Sequence, residues 1–582
     1  MFRMMNQAKL SSFRHTPKYM FGYEIPRNYK HAIELDKKNN NTRWRDAILL
    51  EIQQLHEYAT FKDIGKNASI PSGYRKITVH FVFAVKHDGR HKARLVAGGH
   101  LTLVPIDSVY SGVVSLRGLR IVIFLAELNG MLLWSTDVGN AYLESETKEM
   151  VCFIAGPEFG ELEGHLLLIV KALYGLRSSG QRWHDRLYDA LRGMNFIPSK
   201  AEADIWYREK DGVYEYVAVY VDDLAIASRE PQTIVDILEK RHNFKLKGTG
   251  NISYHLGMDF FRDDDGTLCM APKKYMMKML DNFERIFKHK PHLASSPIEK
   301  GDNPELDTSE FLEEDQIQIY MSLIGALQWA VSIGRFDIQT AVMTMSAFRV
   351  APRVGHMKRV KRIFGFLAKM GEAMIRVRTD VPDYSDLPEP HYDWSRSVYG
   401  NTTEEIPNDA PKPLGKMVRL THFVDANLMH DVLSGKSVTG ILHIANQTPI
   451  DWYSKKQATV ETATYGSEFV AARTCVEHAI DLRNTFRYLG VPIEESNYMF
   501  GDNKSVVDSS VTPHSTLNKR HTILSFHRVR QAIASGIIKF YHIPGEENPA
   551  DILSKHWGYT QIWEVLRPLL FWRGDTSECI DG

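Results

Sequence analysis

Two stretches of this sequence put carboxylates where chemistry could use them. In residues 214–228, YEYVAVYVDDLAIAS, a strand-forming apolar run is broken by Asp222 and Asp223 and then resumes. In residues 132–145, LLWSTDVGNAYLES, Asp137 likewise arrives after an apolar run. Burying a carboxylate is costly unless something positive meets it. An Asp-Asp pair between strands also reads as a plain hairpin turn, because Asp tolerates turn geometry and bonds its own backbone. Asp137 alone could simply end a strand. If one sheet brings the two places together, three carboxylates crowd into a small volume. Like charges then repel and raise one another's pKa unless a divalent cation neutralises them. Magnesium suits such an all-oxygen set, with substrate phosphates completing its octahedron. Two such ions serve phosphoryl transfer by activating an attacking hydroxyl and stabilising the leaving oxygen.

The elements that must hold these groups are of both kinds. KITVHFVFAVK, HKARLVAGG, MLLWSTDV and YVAVYV read as strands. TRWRDAILLEIQQLHEY, GQRWHDRLYDALRGM and PQTIVDILEKRHNF have apolar residues at three- and four-residue steps and read as helices. Residues 379–413 are rich in Pro, Asp and Ser with little apolar periodicity, as in a linker or a long surface excursion. Beyond them THFVDAN, SVTGILHIAN and PIDWYSK read as consecutive strands. A long helix follows, TYGSEFVAARTCVEHAIDLRNTFRYLG, closed by glycine, and NYMFGDN and GIIKFYHIPG add strands. Four acidic residues recur in separate elements of this second module: Asp425, Glu468, Asp502 and Asp551. Each alone is an ordinary solvated acid. Converging at one sheet edge, they would make a second two-metal site.

YVDD at 220–223 resembles the catalytic hairpin of reverse transcriptases, and DVGNAYL at 137–143 is similar to the segment carrying their first catalytic aspartate. HKARLVAGGH, VYSGVVSLRGLR, ALYGLRSSGQRWHDRL, YHLGMDF and YMSLIGALQWAVSIGRFDIQTAV look like landmarks of the copia-type retrotransposon branch. The resemblance covers nearly the whole chain from about Trp44 onward. It implies an α+β multidomain fold: a polymerase right hand of fingers, palm, thumb and connection, then an α/β ribonuclease H-like domain with a mixed sheet. The expected divisions are an N-terminal extension (1–40), fingers and palm (41–245), a thumb-like region (246–300), a connection (301–378), a linker (379–416), the ribonuclease H-like domain (417–560) and a tail (561–582). It implies RNA-directed DNA synthesis and cleavage of the RNA strand of an RNA–DNA hybrid. RNA template, DNA primer and deoxynucleoside triphosphates would be partners, and Mg2+ the cofactor in both sites.

Carried over residue by residue, Asp137, Asp222 and Asp223 would hold the polymerase metals. Tyr142 matches the aromatic wall beside the incoming sugar, and Lys92 and Arg94 match the cations that clamp the triphosphate. The order Asp425, Glu468, Asp502, Asp551 resembles the ribonuclease H domain. Glu468 is preferred to Glu461 because it lies inside the helix, before the apolar FVAA stripe. His542 matches a loop histidine associated with product release. The turn LYGLRSSGQRW departs from the family pattern after its basic position, which leaves the role of Arg177 open.

Lys plus Arg equal Asp plus Glu at 71 each, so any nucleic-acid surface must be local. Residues 353–378 concentrate cations. Their Val360, Ile363, Phe364 and Leu367 share one helical face, leaving Lys358, Arg359, Lys361 and Arg362 largely on others. These could track duplex phosphates or simply be solvated. APKKYMMKMLDNF and NKRHTILSFHRVRQ are further candidates. The four cysteines form no CxxC pair, which argues against a zinc knuckle or a disulfide scaffold. No apolar run reaches membrane-spanning length and the N-terminus has no signal-peptide core, so an intracellular, soluble protein is expected. The resemblance adds an element particle in the cytoplasm, with access to the nucleus. The competing class is a degenerate or domesticated copy that binds nucleic acid without catalysis. Retention of all seven acidic positions argues against it.

Overall fold

The computed structural model describes residues 18–20, 23–86, 89–102, 112–390, 392–400, 402–517, 522–556 and 563–571. Residues 1–17, 21 and 22 of the expected N-terminal extension, residues 518–521 of the NKRH stretch and the tail from 572 lie outside them. Compact packing groups the chain into two interleaved units rather than consecutive segments. One comprises Met1–Val113, Asp137–Phe196 and Thr233–Lys247; the other comprises Val114–Thr136, Ile197–Gln232 and Gly248–Gly582.

In the first unit, the strands Val79–Val85 and His91–Ala97 form an antiparallel hairpin, from Val79 opposite Ala97 to Val85 opposite His91. Alternation puts Phe81, Phe83, Ala93 and Leu95 on one face, where they pack with Trp44, Ile48 and Leu55 of the helix Arg43–Glu57. Asp36 starts that helix by accepting the Trp44 and Arg45 backbone N–H groups at 3.1 and 2.8 Å. The helix Ser179–Arg192 lies in the same unit. PQTIVDILEKRHNF, expected as one helix, is α-helical only over Pro231–Asp236 and then widens into a π turn at Ile237–Arg241.

Three strands belong to one six-stranded sheet: β1 (Leu132–Val138), β2 (Val213–Tyr220) and β3 (Asp223–Ser228). β2 and β3 pair antiparallel from Tyr216 opposite Ala227 to Tyr220 opposite Asp223, so Val221 and Asp222 form a two-residue turn.

The C-terminal part of the second unit carries the expected mixed sheet. β4 (Leu420–Asp431), β5 (Lys436–Ala445) and β6 (Thr448–Lys456) form an antiparallel meander. The helix α1 (Thr464–Tyr488) then returns the chain to β7 (Asn497–Gly501), parallel to β4, and β8 (Ile538–His542) is parallel to β7. The order is β6–β5–β4–β7–β8. Phe469, Ala472, Cys475, Val476 and Ala479 of α1 pack on Val424, Ile441 and Met499 of the sheet. The sheet's other face joins a larger core with Leu119 and Ile123 of the helix Leu116–Leu128. Arg120 of that helix is buried, donates to the Ile450 and Ser332 carbonyls at 2.6 and 2.9 Å, and lies 4.1 Å above the Trp452 ring.

The described residues of 379–413 follow the second of the two sequence readings, a surface excursion laid on this sheet and its helices. Tyr384 packs against the rings of Tyr498 and Phe500, 4.7 and 5.4 Å away. Glu404 accepts from Arg483 at 2.8 Å twice and from Arg487 at 2.6 and 2.7 Å. Burial alone would raise the Glu404 pKa, but the two guanidinium groups overcome it and hold the carboxyl near about 2. Glu404→Ala leaves the buried Arg483 uncompensated and should cost about 2–3 kcal/mol. Thermal melting should show a lower Tm, and limited proteolysis should show faster cutting within 379–416. Unchanged melting and cleavage would show that the segment is only a tether.

Candidate active site

The second module brings its acids together. Asp425, Glu468 and Asp502 each offer an oxygen, and the three atoms lie within 4.8 Å of one another. Asp425 is in mid-strand on β4, opposite Gly440 of β5, and is 1% exposed. Asp502 follows the last residue of β7, where the parallel pairing of Val424 with Gly501 sets it beside β4. Glu468 sits on α1, one turn in, and accepts a hydrogen bond from the Ala426 backbone. Gln457 holds the start of α1 by donating to the Ser467 carbonyl at 2.8 Å and to Thr439 Oγ1 at 3.1 Å.

Asp551 begins the short helix α2 (Asp551–Ser554) and is tied to the cluster through Lys555, which pairs with Asp551 and with Asp425. Asn548 anchors its approach: it is fully buried and donates from Nδ2 to the Val424 carbonyl at 2.9 Å, while its Oδ1 accepts the Ala550 N–H at 3.1 Å. Gly440 makes room for α2. A Cβ there would lie 2.7 Å from the Ala550 oxygen, the Leu553 carbonyl carbon and the Ser554 nitrogen. Ser554 Oγ donates to Asp425 Oδ2, Lys555 Nζ stands 3.4 Å from the same oxygen, and Lys555 also pairs with Asp551.

The electrostatics follow from crowding. Burial and then the charges of Asp425 and Asp502 push the Glu468 carboxyl well above its ordinary range. Burial and the Asp425 charge raise Asp502 to about 7, and the same two causes raise Asp551 against the pull of Lys555. Burial works against charge on Lys555, but Asp425 and Asp551 outweigh it and hold the ammonium protonated. Hard oxygen donors this close together, strained by mutual repulsion, fit a small divalent cation bridging them. Asp425, Glu468 and Asp502 would hold it.

His542 ends β8 and pairs through Nε2 with the Asp502 carbonyl at 3.1 Å. Glu461 is buried ahead of α1 and is outside the three-residue cluster.

The other expected residues are placed as follows. Asp222 and Asp223 are half-buried in the β2–β3 turn of the second unit. Val221 in that turn has φ +58°, a left-handed conformation that β-branched residues resist at a cost on the order of 1–3 kcal/mol. Strain of this kind collects where a turn must aim particular side chains. Asp137, in the penultimate position of β1, belongs to the first unit. In that unit, Arg94 lies 4.2 Å above the Tyr174 ring, whose centroid is 4.8 Å from that of Tyr142. Tyr174 thus links two of the expected nucleotide contacts. Lys92 is half-buried on the same strand as Arg94. Arg177 donates to the Gly99 carbonyl at 2.9 Å, fastening the AGGH loop. That loop packs so closely that a Cβ on Gly175 would lie 2.2 Å from the Ala97 oxygen.

Of the cationic helix Val354–Lys369, Lys358 is exposed and Lys361 lies 3.8 Å above the Phe287 ring. Arg359 is ion-paired with Asp302 and Asp307, both at 2.6 Å, and Arg362 with Glu299 at 2.8 Å. These two arginines brace their own unit rather than standing free in solvent as the sequence suggested. Of these four cations Lys358 is the exposed one, and Lys361 is half-buried like the two arginines.

Sequence reasoning did not single out Lys555, Ser554, Asn548 or Gly440. Lys555 and Ser554 follow Asp551 at i+4 and i+3, the spacing of one helical face. An isolated glycine in a strand is itself a sign of close backbone approach.

Residues 63–292 match the family described as reverse transcriptase (RNA-dependent DNA polymerase). Among curated relatives, the retrovirus-related Pol polyprotein from transposon TNT 1-94 of Nicotiana tabacum is 24% identical over 547 residues, 91% of this chain and 38% of its own length. That from transposon RE1 of Arabidopsis thaliana is 24% identical, over 95% of this chain and 35% of its own length. The chain thus spans little over a third of these relatives. A solved foamy viral protease-reverse transcriptase in complex with an RNA/DNA hybrid aligns with 87% of this chain and 54% of its own, at 14% identity and a TM-score of 0.43. The matched segment is thus similar to reverse transcriptases, and most of the chain is similar to part of the Pol polyproteins of these transposons.

A carboxyl whose pKa is higher folded than unfolded favours the folded state when protonated. The contribution of Asp502 is fully present below about 3.8 and is lost as pH rises through about 7. Without divalent cation, the Tm advantage of Asp502→Asn over the parent chain should therefore widen as pH is raised from about 4.5 to about 7.5. A pH-independent difference in melting scans would contradict the crowding.

Proposed function

We propose that this chain is an RNA-directed DNA polymerase whose C-terminal module cleaves the RNA strand of RNA–DNA hybrids. The observation that carries the reading is the Asp425–Glu468–Asp502 donor set on a mixed five-stranded sheet, in a chain whose residues 63–292 match the reverse transcriptase family. RNA template, DNA primer, hybrid and deoxynucleoside triphosphates are the partners this implies. An element particle in the cytoplasm, with access to the nucleus, is the setting. Among the described residues no helix is long and apolar enough to cross a membrane.

Magnesium, when bound at such carboxylates, supplies charge neutralisation and a more acidic bound water. The residues of the chain do the rest. In the polymerase reading Asp137, Asp222 and Asp223 would hold the metal, and the primer 3′-hydroxyl would attack the α-phosphate of the nucleotide, releasing pyrophosphate. Tyr142, backed by Tyr174, walls the sugar, where a 2′-hydroxyl would collide. Lys92 and Arg94 grip the triphosphate, with Arg94 oriented by its stacking on Tyr174. In the ribonuclease reading Asp425, Glu468, Asp502 and Asp551 would hold the metal, with His542 beside Asp502. Lys358 and Lys361 would meet duplex phosphates, on a helix that Arg359 and Arg362 brace through their ion pairs.

The two activities separate by mutation. Asp222→Asn should abolish RNA-templated primer extension in magnesium, at least a hundredfold below the parent, and leave hybrid cleavage intact. Asp502→Asn should do the reverse. Extension that survives Asp222→Asn would sink the polymerase assignment, and cleavage that survives Asp502→Asn would sink the ribonuclease assignment.

A further inference from the structure

Among the four carboxylates of the ribonuclease-type site stands one ammonium. Lys555 Nζ is 3.4 Å from Asp425 Oδ2 and is paired with Asp551. Asp425 shares both sets of contacts: it lies in the three-oxygen group with Glu468 and Asp502, and Lys555 ties it to Asp551. Ser554 Oγ bonds the same Asp425 oxygen, so the end of α2 addresses that atom twice. A divalent ion held by Asp425 would bring a second positive charge close to the ammonium, where the two repel strongly. The Lys555 side chain is 22% exposed, on a flexible four-carbon stem at the end of a one-turn helix, so it can swing to water.

Resting on the two-metal reading above, we infer that Lys555 is the site's internal counter-cation. It holds the carboxylates together before metal arrives, and it must leave Asp425 for metal to bind. It therefore sets the metal concentration at which the site loads. Lys555 is a positioning residue for the metal ligands, acting through Asp425 and Asp551 rather than on the substrate.

The test uses the full chain and magnesium alone, reading Tm as magnesium is added. Lys555→Met and Lys555→Gln remove the charge, and Lys555→Arg keeps it. Without magnesium both neutral variants should melt below the parent. With magnesium they should recover, and their half-saturating concentration should fall by about tenfold, the equivalent of about 1.4 kcal/mol. Lys555→Arg should stay within about twofold of the parent. A half-saturation in the neutral variants equal to or above that of the parent overturns the inference. A merely structural lysine would lower Tm by the same amount at every magnesium concentration, which also overturns it. If the parent shows no saturable magnesium shift, or Asp502→Asn keeps the parent's shift, the metal reading itself fails and this inference with it.

Discussion

The constraint on which the C-terminal module depends is the repulsion among carboxylates taken out of water. Asp425 is all but inaccessible, and Glu468 and Asp502 approach it closely enough to share an ion. Isolated, such a group of charges would open the sheet or take up protons. Three features keep the cluster closed. The parallel β4–β7 pairing fixes the Asp425 and Asp502 backbones side by side. The apolar face of α1 pins Glu468 through its packing on Val424 and Met499. α2 delivers Lys555 as a counter-charge, and it can lie flat on the sheet only because residue 440 has no side chain.

The same division between a rigid frame and a charged tip recurs at the β2–β3 hairpin. Seven consecutive residues of β2, from Val213 to Val219, are buried, and the strand ends at a turn whose Val221 adopts a backbone conformation that glycine would take without cost. Burial on both faces leaves the turn little freedom to relax. In the first unit, cation–ring and ring–ring stacking among Arg94, Tyr174 and Tyr142 serves the same end, holding long side chains through aromatic contact.

Much of this was legible in the sequence because it rests on local signals. Period-2 and period-3.6 patterning located the strands and helices of both units, including all five strands of the mixed sheet. The acidic residues stood out because each followed an apolar strand or opened a helix. What was not legible depends on contacts distant in sequence. Arg359 and Arg362 read as free cations because Asp302, Asp307 and Glu299 lie more than fifty residues away. Residues 379–416 look like a linker by composition, yet Glu404 and Tyr384 find partners about eighty and more than one hundred residues further on. Lys555 was hidden in plain view, a common surface residue type whose i+4 spacing from Asp551 gained meaning only when Asp425 was found above it.

The most direct measurement is diffraction from crystals of the full chain soaked in Mn2+, a magnesium surrogate with anomalous scattering. The expected result is an anomalous peak about 2.2 Å from oxygens of Asp425, Glu468 and Asp502, with the Lys555 ammonium withdrawn from Asp425. No peak among these carboxylates at saturating Mn2+, with Lys555 still seated on Asp425, would contradict the claim that they form a metal site.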